Sequence, residues 1–141
     1  CEIFQNTPPV LIDSSHNQAS ASQLTKVLGD LFPHQKRVLI FGAMSDKDIK
    51  GMFAELLPNC SHTVLTSTGM PRSMTPDELE TIAAEYSCST SIENNIENAL
   101  NTAIKLASND GMVVVAGSIT VAASIRLCVT CKHPYTTLHT S

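Results

Sequence analysis

No apolar run in this chain of 141 residues approaches the roughly 20 needed to span a bilayer, and no secretion signal is visible. Basic charge is scarce too: 9 Lys and Arg against 13 Asp and Glu leave a formal net charge of -4. These shortages exclude a helical membrane protein and argue against a nucleic-acid binder, because phosphate backbones recruit basic faces. Small molecules or proteins are the expected partners, and the cytoplasm is the expected location. No Gly-x-x-x-x-Gly-Lys-Ser/Thr loop occurs, so the backbone cradle for nucleotide phosphates of that type is missing. Gly-x-Gly-x-x-Gly is missing as well, which removes the fingerprint of a dinucleotide-binding oxidoreductase. No internal repeat or low-complexity linker divides the chain. It begins at Cys1 without Met, as a fragment of a longer protein or a processed chain would.

A disulfide framework is also lacking. Five cysteines make an odd count, and Cys1, Cys60 and Cys88 are scattered, which suits a reducing compartment. Cys128-x-x-Cys131, with His133 nearby, offers half of a zinc site or a redox pair, but no second half follows. A pair of thiols at a helix end is the plainer reading, and no metal site is expected.

What is present is a regular alternation. Short strand candidates at 9–12, 37–41, 63–66 and 112–116 are mostly β-branched or aliphatic, and 89–92 shows the same pattern only weakly. Between them apolar residues recur at helical spacing: Ala21, Leu24, Val27, Leu28 and Leu31; Ile49, Phe53, Leu56 and Leu57; Leu79, Ile82, Ala83 and Tyr86; Ile96, Leu100, Ala103, Ile104 and Ala107. A last helix is expected from about Thr120 to Cys128. Thr75-Pro76-Asp77-Glu78 reads as a capping box with Pro at the first helical position. Pro33 and Pro58 end the helices that precede them. With 43% hydrophobic and 16% charged residues the chain can bury a core as one domain. Apolar strands joined through helices predict an α/β fold: a Rossmann-like, three-layer αβα sandwich with a mostly parallel sheet. One domain should span 1–129, and 130–141 reads as a tail of unclear structure.

Parallel topology gathers the carboxyl ends of the strands on one edge, where ligands of such sheets bind. That edge collects Asp13-Ser14-Ser15-His16-Asn17, then the segment from Gly42 to Asp48, then Thr66 to Gly69, then Gly117-Ser118. Each residue has two readings. Asp13 either bonds nearby backbone N–H groups or accepts a ribose hydroxyl or an amine. His16 alone is an ordinary hydrogen-bonded histidine. Asn17 should cap the first helix, with Gln18 opening it, and the N–H groups of that turn suit an anionic oxygen. Lys47, between Asp46 and Asp48, is a solvated charge or a counter-charge for a carboxylate or phosphate. Ser118 caps a helix after the tight Gly117 turn, and on spacing alone a ligand role is equally open. Arg72 reads as a loop charge.

Taken together the motifs are more specific. Asp13-Ser14-Ser15-His16-Asn17 resembles the Asp-Gly-Ala-His-Asn signature of the C-terminal domain of folylpolyglutamate synthases and dihydrofolate synthases, in the Mur ligase superfamily. Phe41-Gly42-Ala43-Met44-Ser45-Asp46-Lys47-Asp48 is similar to the family's Phe-Gly-x-x-x-Asp-Lys-Asp segment. Pro71-Arg72-Ser73 and Gly117-Ser118 fall where the family has a Pro-Arg loop and a Gly-Ser turn. The likeness runs from about Pro8 to Val129.

The resemblance implies an ATP-dependent ligase in which a folate carboxylate is phosphorylated and the amine of glutamate displaces the phosphate to form an amide. It implies that Asp13, His16 and Asn17 contact ATP and that His16, Ser118 and Lys47 serve glutamate. The phosphate loop and the magnesium ligands would lie on a preceding ATPase domain, so this chain would hold no complete catalytic centre and be inert alone. A cell-wall Mur ligase domain and a non-catalytic α/β binding module are the alternatives, and the Phe41–Asp48 run favours the folate branch. Ser14, Ser15 and Gln18 stand where the family has Gly, Ala and Pro. The segment from Cys128 to Ser141 matches nothing in the family pattern.

Overall fold

The computed structural model describes residues 1–5, 7–132 and 136–139. Seven strands form one sheet: β1 (Glu2–Gln5), β2 (Val10–Ile12), β3 (Lys36–Phe41), β4 (His62–Leu65), β5 (Ser89–Ile92), β6 (Gly111–Ala116) and β7 (Thr136–His139). Their spatial order is β5-β4-β3-β6-β2-β1-β7. The five strands from β5 to β2 run parallel, and β1 pairs antiparallel with both β2 and β7. The helices are α1 (Gln18–Leu31), α2 (Ile49–Leu56), α3 (Pro76–Ala83), α4 (Ile96–Ala107) and α5 (Ile119–Lys132).

Two buried layers follow from the alternation of side chains along each strand. Leu39 and Phe41 of β3 and Met112, Val114 and Ala116 of β6 face Leu24 and Leu28 of α1, Met52 and Phe53 of α2 and Leu79 of α3. Val38 and Ile40, with Val113 and Val115, face Ala99 and Ala103 of α4 and Val121 and Ile125 of α5 on the other side. Strands buried on both faces need apolar residues at nearly every position, which is why they read as continuous runs. The three-layer sandwich is as the sequence predicts.

Local departures have local causes. Tyr86 lies beyond α3, yet it packs edge-on to Phe53 at 6.2 Å and donates to the Lys50 carbonyl, so its helical spacing reports burial without helix. Pro58 sits inside a short 3-10 turn, Leu57–Asn59, that continues α2. The last helix is longer than expected by a turn, reaching Lys132. The stretch after 129, expected to be a tail, therefore supplies that turn and the edge strand β7, which adds to β1 by backbone hydrogen bonds that need no apolar pattern. Cys128-x-x-Cys131 is on α5; the side chain of Cys131 and all of His133 lie outside the described residues. Among the described residues no group of three or more His, Cys, Asp or Glu is placed to hold a metal, and no helix is long and apolar enough to cross a membrane.

Candidate functional site

The chain leaves β2 and β3 for α1 and α2 on one face of the sheet, but leaves β6, which lies between them, for α5 on the other. Connections that part in this way open a crevice at the carboxyl ends, the position where open α/β sheets bind ligands. The loops after β2, β3 and β6 meet there.

Gly117 is the point of contact. Its N–H donates to the Ser15 carbonyl at 2.8 Å, and its φ of +107° is a conformation that side chains disfavour. A Cβ at Gly117 would lie 2.5 Å from the Gly42 carbonyl oxygen and 2.8 Å from the Phe41 ring. Three strand-end loops are thus drawn within contact of one glycine. Ser118, buried, caps α5: its Oγ accepts from the Thr120 N–H at 3.1 Å. The capping reading holds, and a capping hydroxyl that accepts in this way still has its own hydrogen to donate.

Asp13 extends the ladder, donating its N–H to Val115 O at 3.0 Å. Its partly buried carboxylate accepts from the Ser15 hydroxyl through Oδ2 and lies 3.5 Å from the Cys1 nitrogen through Oδ1. Asn17 caps α1 as expected: Oδ1 accepts from Ser20 N–H at 2.8 Å, and Ser20 Oγ accepts in return from the N–H of Asn17 and of His16. His16 is exposed, with Nδ1 3.2 Å from Ser14 O. A carbonyl can only accept, so the ring proton in this pair is on Nδ1, and neutral His16 keeps Nε2 as an acceptor. Ser14 has an ordinary negative φ; the one described non-glycine residue with positive φ is Ser108. The serine in place of glycine therefore fits without strain.

On the other side of the crevice, the Gly42–Asp48 loop is pinned by the segment around Arg72. Ser45 donates to Arg72 O at 2.8 Å and Met74 to Ala43 O at 2.9 Å, with a β-bridge between Met44 and Ser73. Arg72 itself is exposed, as a loop charge should be. Lys47 is half-buried, and among the described residues its ammonium forms no ion pair with Asp46 or Asp48. Asp48 is a cap that the charge run concealed: its Oδ1 accepts from Gly51 N–H at 3.1 Å. Gly51 permits this, because a Cβ there would fall 2.1 Å from Asp48 Oδ2. Asp before an apolar, helix-periodic run was the available signal.

Asp13 also walls a groove of about 530 Å³ that runs along α1 past Ser20, Gln23, Leu24 and Val27. His16, Lys47 and Ser118 are not on that wall. A second groove, of about 390 Å³, lies between Ser67–Gly69 and the start of α4 at Asn95.

A parallel sheet covered by helices on both faces, with polar loops meeting at its switch point, defines an α/β domain of the Rossmann-like class. The model of the Mur ligase, glutamate ligase domain matches residues 1–119, and the chain belongs to that family. It is 27% identical to the dihydrofolate synthase/folylpolyglutamate synthase of Mycobacterium tuberculosis over 89% of this chain and 29% of that protein. To the probable bifunctional folylpolyglutamate synthase/dihydropteroate synthase of Halobacterium salinarum it is 29% identical, over 89% of this chain and 15% of the relative. The structure of Mycobacterium tuberculosis folylpolyglutamate synthase complexed with ADP superposes with a TM-score of 0.83 at 27% identity, covering 89% of this chain and 31% of that one. The chain thus spans less than a third of the length of these relatives, and in the folylpolyglutamate/dihydrofolate synthases the part it matches is the C-terminal domain.

Proposed function

We propose that this domain is the glutamate-ligase part of an ATP-dependent, folylpolyglutamate synthase-like enzyme and forms one wall of a cleft for ATP and glutamate. The observation that carries the reading is the contact of three strand-end loops at Gly117, which brings Asp13, His16 and Ser118 to one edge. The family membership and the ADP-bound relative support it.

The residues fit such ligands by their chemistry. Asp13 is a fixed acceptor suited to a ribose hydroxyl. Asn17 orders the first turn of α1, whose N–H groups suit an anionic oxygen. His16, with its Nε2 lone pair, can accept from an ammonium, and the Ser118 hydroxyl can donate to a carboxylate while it caps α5. Lys47, with no ion pair among the described residues, supplies positive charge on the same edge. ATP supplies the phosphoryl group that makes a folate carboxylate a target for the glutamate amine. The contribution of these side chains is to position and to exclude water. Magnesium does not fit this donor set, since no cluster of ligands is present among the described residues, so its ligands are assigned to the preceding ATPase domain.

Calorimetry of the isolated chain against Mg-ATP and glutamate should show weak binding or none. Measurable ATP turnover by this chain alone sinks the reading of half a site. In the longer ligase, Asp13→Ala should raise KM for ATP and Ser118→Ala should raise KM for glutamate, each by about tenfold or more, as loss of a hydrogen bond to a charged group does. Unchanged KM values would overturn the assignment.

A further inference from the structure

We propose that Ser15 is a positioning residue, which sets the Asp13 carboxylate against the rest of the crevice through its buried hydroxyl. The inference rests on the reading of Asp13 as a ligand acceptor and adds to it what holds that acceptor in place.

Ser15 is 2% exposed, so its hydroxyl must be satisfied within the protein. Its Oγ donates to Asp13 Oδ2 and lies 3.4 Å from Ser20 O, at the first turn of α1. Its carbonyl accepts from Gly117 N–H at 2.8 Å. One residue therefore ties three parts of the crevice: the carboxylate after β2, the start of α1 and the Gly117-Ser118 turn after β6. The hydroxyl fixes the rotation of the carboxylate and occupies one of its lone pairs. Oδ1 lies 3.5 Å from the Cys1 nitrogen, and the lone pairs that these two contacts do not take are held in a set direction for a ligand. The backbone tie to Gly117 would survive loss of the side chain, so the hydroxyl can be tested by itself.

The test uses the complete ligase. Ser15→Ala should raise KM for ATP about three- to tenfold, the effect of losing one preorganising hydrogen bond, with kcat within about twofold and an unchanged melting temperature. Ser15→Thr, which keeps the hydroxyl, should restore KM. Asp13→Ala serves as the reference. If it raises KM while Ser15→Ala does not, the positioning role is overturned and the assignment of Asp13 stands. If Asp13→Ala leaves KM unchanged, the assignment of Asp13 fails and the role of Ser15 fails with it. A Ser15→Ala enzyme with lowered melting temperature and a parallel loss of kcat and KM effects would mark Ser15 as structural only, also against the proposal.

Discussion

Gly117 and Gly29 both lack a side chain, and opposite outcomes are expected when one is added. At Gly117 a methyl group meets Gly42 O at 2.5 Å and the backbone holds φ at +107°, so Gly117→Ala should destabilise the domain by about 1–3 kcal/mol or more and separate the three loops. Gly29 lies near the end of α1, and a methyl group there would meet no atom within 4 Å, so Gly29→Ala should stabilise by about 0.5–1 kcal/mol. Urea unfolding of the two variants checks both, and a neutral Gly117→Ala would show that the loop contact is not tight. At this scale the sequence was informative wherever a side chain acts on its own backbone. The caps at Asn17, Thr75 and Ser118 were legible for that reason. The Ser15 to Asp13 bond was not, because no residue pattern states which way two neighbouring side chains turn. Nor was the fit of Ser14, which depends on a φ that a serine and a glycine can both adopt.

The best-specified element is α3, whose capping box closes both ways: Thr75 Oγ1 accepts from Glu78 N–H at 3.1 Å, and Glu78 Oε1 accepts from Thr75 N–H at 3.0 Å. Thr75→Ala should cost about 1 kcal/mol, read as a shift of the urea midpoint. The hydrogen bonds from the Thr75 backbone and hydroxyl hold the Glu78 carboxyl below its ordinary value of 4.5. A depressed acid stabilises the fold above its unfolded value, and that contribution is lost as pH falls through the folded value. Glu78→Gln should keep the cap and flatten the acid limb of the stability profile below about pH 4.5; an unaltered limb would refute the linkage. The strands at the far edge were the least legible elements. Glu2–Gln5 and Thr136–His139 are four residues each and pair along their backbones; β1 buries only Ile3 and Phe4, a pair too short to stand out as an apolar run in the sequence. The parallel strands β3 and β6, buried on both faces, needed such runs and showed them, whereas the edge strand β5, Ser89–Ile92, is only half-buried and carries a weak pattern.

The sheet has two ends, and their chemistry is separate. The polar loops lie at the carboxyl ends of the strands, whereas Cys60, His62 and Cys88 lie at the amino ends of β4 and β5. There His62 Nε2 is 2.9 Å from Ser91 Oγ, and burial lowers its pKa from 6.5. Its contribution to stability is therefore present above pH 6.5 and fades as pH falls, and His62→Gln should lessen that fall. Cys60 has the opposite sign. Burial, reinforced by the neighbouring Cys88 thiol and opposed by Arg37, pushes its pKa from 9.0 up to about 12. Between those values the unfolded chain releases a proton that the folded domain retains, so stability is complete below pH 9 and falls as pH rises toward 12. Cys60→Ala removes this term. The variant should be less stable than the parent domain at about pH 7.5, because a packed thiol is lost, and the gap between the two should narrow by about pH 10.5. Urea unfolding at the two pH values measures it, and a constant gap would mean that the Cys60 thiol is not held neutral. Ellman's reagent gives an independent reading: at about pH 8 the exposed Cys1 should react well before the half-buried Cys60, whose thiol stays protonated. Because this cluster sits at the opposite end of the sheet, these pH effects should change stability without changing the ligand contacts assigned to Asp13, His16 and Ser118.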